Sequence, residues 1–157
     1  MNKTLNFLFL GLAWLSMQPL PAQSLKLNES GYFDGGGVNV MVFNNPYHSF
    51  FYDEKRSGID IIHRGVLTAS NGCVRLQNTP EQWDLVPETV SHKVDVDRQT
   101  VSVLVDYPDY GFQPEMRVSP RGKGFAVEVW LSQPVPKFLE GKAGFNLEFL
   151  PSAYWQR

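Results

Sequence analysis

Apolar residues recur at every second position from residue 37 onward, the period that places them on one face of a half-buried strand. Val101, Val103, Val105 and Tyr107 alternate with Thr100, Ser102, Leu104 and Asp106, and Phe112, Pro114, Met116 and Val118 alternate with Gln113, Glu115, Arg117 and Ser119. Phe125, Val127, Val129 and Leu131 repeat the pattern, as do Phe145, Leu147 and Phe149, while Val90, Val94 and Val96 carry it more weakly around His92. Val38 to Phe43 is apolar in both phases, which predicts a central strand, and Ile59 to Arg64 and Cys73 to Gln77 add two more.

Turn residues divide these runs at the spacing of antiparallel hairpins, at Asp97-Arg98-Gln99, Pro108-Asp109-Tyr110-Gly111 and Pro120-Arg121-Gly122-Lys123-Gly124. Gly35-Gly36-Gly37 reads as a mobile turn before a strand, and Ser70-Asn71-Gly72-Cys73 as a turn feeding one. Helical signals are confined to residues 79–84, where Thr79 can cap, Pro80 suits the first helical position and Gln82 closes a capping box before Pro87 stops the run. The fold class expected is all-β, an antiparallel β-sandwich of two packed sheets with one short helical turn.

The first 22 residues break this pattern. Lys3 is their only charge, Leu5 to Trp14 is almost wholly apolar, and Leu20-Pro21-Ala22 offers a small residue before Gln23. The apolar core is shorter than the ~20 residues that span a bilayer, so residues 1–22 read as a signal peptide in helical form, with cleavage before Gln23 and no transmembrane span in the product. Cys73 lies far from the cleavage site, so no cysteine there could take a lipid, and a single cysteine cannot form an internal disulfide. It reads as a small buried hydrophobe. The expected product is exported, periplasmic or extracellular, with residues 23–157 of a size for one domain. The formal net charge is −2 and no basic run could follow a phosphate backbone, which argues against nucleic acid as a partner.

Chemistry is sparse. Hydrolysis of a glycosidic bond needs two carboxyl groups ~5 to 10 Å apart, one with a raised pKa. Asp53 with Glu54, Glu81 with Asp84, and Asp106 with Asp109 are the near pairs, each beside turn residues or on a polar strand face where carboxylates are solvated. His48, His63, His92 and Cys73 are too scattered for a zinc site, and no nucleophile elbow occurs. No catalytic residue, metal or cofactor is expected. Aromatics are the better candidates, because sugar rings stack on Trp and Tyr through their apolar faces. Trp83, Tyr107, Tyr110 and Trp130 are the candidate stacking residues, with packing under a loop or against a neighbouring domain as the alternative for each.

Longer strings carry a resemblance. Leu27-Asn28-Glu29-Ser30-Gly31-Tyr32-Phe33, Val38 to Phe43, Gly58 to Val66, Val74 to Asp84 and Leu139 to Tyr154 follow one another in an order that resembles the N-terminal region of exported family 9 glycoside hydrolases, cellulase-like enzymes of Bacteroides-type bacteria. The resemblance implies an N-terminal β-sandwich ahead of an immunoglobulin-like module and an (α/α)6-barrel that cleaves β-linked glucans with inversion. The family's catalytic residues lie in that barrel, in an Asp-Ala-Gly-Asp motif and a later Glu. Neither occurs here, and Phe33-Asp34-Gly35-Gly36 is a superficial echo. The chain stops soon after an apolar strand, at Tyr154 and Trp155, so the expectation is a truncated N-terminal segment; the alternative is that these aromatics fold back onto the sandwich. The implied role is a non-catalytic accessory domain with polysaccharide or the downstream domains as partners, or an autonomous carbohydrate-binding module.

Overall fold

The computed structural model describes residues 24–45, 57–76, 85 and 87–151. Among the described residues, ten strands form two antiparallel sheets. The first five, β1 (Lys26–Leu27), β2 (Phe33–Gly35), β3 (Val38–Asn44), β4 (Ser57–His63) and β5 (Val66–Leu76), run as a meander. The chain then crosses to a second meander of β6 (Glu88–Asp95), β7 (Thr100–Asp106), β8 (Pro114–Arg121) and β9 (Gly124–Leu131), and returns as β10 (Ala143–Phe149), which pairs with β5. The molecule is the expected antiparallel β-sandwich, six strands against four. The leader expected at 1–22, the capping box expected at 79–84 and the aromatics Tyr154 and Trp155 lie outside the described residues.

The period-two reading holds best at the centre. Val101, Val103 and Val105 on β7, with Met116 and Val118 on β8, are fully buried against Phe33, Val40 and Ile59 of the other sheet. Tyr107 and Phe112 extend the same phases past the strand ends through an isolated bridge. Hydrogen bonds tie the sheets as well. Leu27 N donates to Gln99 Oε1 at 2.7 Å, Tyr107 Oη donates to the Val74 carbonyl at 2.6 Å, and His92 Nε2 sits 2.9 Å from the Val42 carbonyl.

Away from the centre the phase shifts or the cover thins. On β6 a bulge between Thr89 and Ser91 leaves Val90 without a cross-strand partner. Thr89, His92 and Val94 therefore share the inward phase of β7, and the run of valines is not one face. On β9, Val129 and Leu131 share the phase of buried Met116 and Pro114 but stay 40% and 41% exposed, and on β10 Phe149, opposite buried Ala69, is 60% exposed. Among the described residues, this side of the sandwich is the less covered one.

One turn reading changes. Ser70-Asn71-Gly72-Cys73 is the interior of the eleven-residue β5, not a turn. Asn71 takes φ 60° at a bulge opposite Leu147, and Gly72 passes so close to β4 that a Cβ there would lie 2.7 Å from Ile59 Cβ. A bulge and a close approach use the same residue types as a turn, which is why the sequence misleads. Gly36 and Gly37, at φ 61° and 78°, form a two-residue hairpin turn between β2 and β3, and Arg64 with Gly65 makes the same kind of turn between β4 and β5.

Candidate functional site

Because Val101, Val103, Met116 and Val118 point inward, the residues between them must point out, and they are polar. One cross-strand row runs over the whole four-stranded sheet as Lys93, Ser102, Arg117 and Glu128. The neighbouring row is Ser91, Leu104, Glu115 and Trp130. With the β6–β7 turn, Lys93, Ser102, Arg117 and Glu128 of the first row and Glu115 of the second line an open groove of 790 Å³. Trp130, 51% exposed, does not line the groove itself but adjoins it through Arg117, whose guanidinium lies over its ring.

The side chains there interlock. Arg117 Nη2 donates to Glu115 Oε2 at 2.6 Å, the Arg117 guanidinium carbon lies 4.3 Å from the centroid of the Trp130 ring, and Trp130 Nε1 donates to Glu128 Oε2 at 3.3 Å. The register explains the cluster, because Glu115 is directly opposite Trp130 and Arg117 directly opposite Glu128. The hydrogen bond from Arg117 holds the Glu115 carboxyl below its ordinary value of 4.5; burial opposes this, and the hydrogen bond from Ser102 and the charges of Arg117 and Lys93 add to it. The same bond to Glu115 holds Arg117 above its ordinary range. At the other end of the groove Arg98 faces Asp95 at 3.7 Å and its backbone N–H donates to Asp95 Oδ1. Lining carboxylates at Asp95, Asp97, Glu115 and Glu128 outnumber the cations Lys93, Arg98 and Arg117.

A general acid must keep its proton near neutral pH, whereas Glu115 is held ionised. An exposed indole beside fixed donors and acceptors offers stacking and hydrogen bonds.

The other stacking candidates are elsewhere. Tyr107 is 3% exposed, its ring packed with Phe112 and its hydroxyl spent on Val74, so it has no face to offer. Tyr110 sits in a 3₁₀ turn (Pro108–Tyr110), half-buried against the core and 6.2 Å from the Phe138 ring. Trp83 and the carboxylates Asp53, Glu54, Glu81 and Asp84 lie outside the described residues. Sequence reasoning named Trp130, which the structure leaves exposed, but not its neighbours Glu115, Arg117 and Glu128. Their signal was the polar phase of β8 and β9, and the turn at Gly122 and Lys123 that sets the register.

Comparison with known proteins returns nothing: no protein-family model matches the chain, and no curated protein or solved structure is similar to it.

Proposed function

We propose that this chain is a non-catalytic accessory module of an exported polysaccharide-degrading enzyme, and that its four-stranded sheet holds the polymer. The observation that carries this reading is the groove across β6 to β9, with paired charges along its floor and a fixed, exposed Trp130 beside it. The leader-like residues 1–22 support export, and the resemblance to family 9 glycoside hydrolases supports β-linked glucans as the polymer, with an immunoglobulin-like module and a catalytic barrel as partners. A second reading, an autonomous carbohydrate-binding module, is favoured by the shared core, which both sheets fill with fully buried residues.

The purified, exported chain should be retarded in a native gel containing soluble β-glucan and should release no reducing ends from it. Release of reducing ends would overturn the non-catalytic role. Free migration in every polysaccharide tried would overturn the holding role. A sharp thermal transition that one glucan raises would favour the autonomous reading.

A further inference from the structure

We infer that β9 is a docking edge for a second copy of this chain, which pairs its own β9 antiparallel about a two-fold axis through Val129 and so joins the two four-stranded sheets into one. Among the described residues this is the one sheet edge left without a guard. β1 is two residues long, β6 carries the Val90 bulge with Lys93 and Asp95, and β10 carries a bulge before Glu148, which is tied to Asn71 and Arg75. β9 pairs with β8 at every residue from Gly124 to Leu131, holds no proline and no bulge, and has Glu128 as its only charge. A long, regular, apolar edge is a template for another strand unless something blunts it.

The backbone and the side chains of that edge agree on where the second copy lies. In a two-residue hairpin the flanking pair, here Arg121 with Gly124, is hydrogen-bonded, so counting along β9 turns the N–H and C=O of Val127, Val129 and Leu131 away from β8 and out at the edge. Val129 and Leu131 are also among the inward-phase side chains that the sandwich covers least. An axis through Val129 pairs Val129 with its own copy and Val127 with Leu131 of the copy, each pair exchanging both hydrogen bonds. On the outer face it sets Glu128 opposite the copy's Trp130, over which the Arg117 guanidinium lies 4.3 Å from the ring centroid, so a carboxylate meets a cation. Other centres fit worse. One on Glu128 sets two carboxylates face to face, one on Val127 sets Trp130 against Gly124 and Leu131 against the hairpin turn, and one on Trp130 runs past the end of the strand. The chosen axis also brings the two less covered sides together, including Phe145 of each β10, which shares the inward phase of buried Val74.

The inference is independent of what the groove holds, and sedimentation velocity of the purified full chain over a dilution series tests it. A monomer–dimer equilibrium is expected. W130E, which sets carboxylates opposite each other twice about the axis, should weaken it roughly tenfold or more. V129K, which puts a charge on the edge, and V129P, which removes the central outward N–H without touching the β8 ladder, should each give monomers. Their circular dichroism should match the parent, and V129K carries the test should V129P fail to fold. V129C should be linked into a dimer by a short bis-maleimide, whereas V94C, on the opposite edge of the same sheet, should not; Cys73 is buried. A monomer at every concentration would overturn the inference, as would a dimer that V129K leaves intact or that is linked at V94C instead. Assemblies that grow beyond two copies would overturn the closed two-fold pair.

Discussion

Tyr107 shows how much one side chain decides. Its position in the β7 alternation gives it the inward phase, and its length lets the hydroxyl cross the core to the Val74 carbonyl 2.6 Å away. Y107F should therefore lower stability by about 1 kcal/mol in urea unfolding while leaving polysaccharide binding unchanged. Gly35 is a stricter constraint, because a Cβ there would lie 2.6 Å from the Ser24 carbonyl oxygen and 3.0 Å from Leu25 Cα, both backbone atoms. G35A must push β1 off β2, and with it Leu25 and Leu27 out of the core, at a cost of about 1–3 kcal/mol on the same measurement. Glu115 gives a pH signature. Its folded pKa is depressed, so its contribution to stability is complete above its ordinary value of 4.5 and disappears as pH falls through the lower folded value. The stability difference between the parent and E115Q should be flat from about pH 6 to 8 and shrink in acid, read by urea midpoints across the series.

At the scale of strands, what was legible in the sequence was alternation, and what was hidden was every place where the ladder slips. β7 and β8 alternate without interruption, so Val101 to Val118 could be assigned inside or outside from spacing alone. β5 and β6 could not, because one extra residue at a bulge reverses the phase of all that follows; on β5 the bulge residues Asn71 and Gly72 are of turn type, and on β6 nothing in Val90 marks the slip. The short β1 and β2 were also invisible, being two and three residues long. The bulge makes a sharp prediction. Thr89 opposite Val105 and Ser91 opposite Leu104 are already consecutive pairs, so deleting Val90 keeps every partner of β6 in place. The Val90 deletion should melt cooperatively near the parent temperature by circular dichroism. Deleting Ser102 should not fold, because it turns one half of β7 over and exposes valines that are fully buried. The site was half legible for a related reason: Trp130 is conspicuous by type, but Arg117 and Glu128 become its neighbours only through the β8–β9 register.

Over the whole molecule, the core is off-centre. It is closed where β7 and β8 face β3 and β4, and open along β9 and β10, so the same substitution should have different effects in the two places. V103T should destabilise by about 1–3 kcal/mol through a buried hydroxyl, and V129T by much less, as measured by chemical denaturation. The division into two sheets has a mechanical side too. The groove lies wholly on the four-stranded sheet, while the first and last described strands, β1 and β10, are the two edges of the six-stranded one. Tension between a polymer held on that groove and either end of the described chain cannot run along one sheet. Were a polymer held there as proposed, the load would pass through the edge pairing of β1 or β10 before crossing the sandwich, so the two-residue β1 would peel before the interlocked side chains between the sheets gave way.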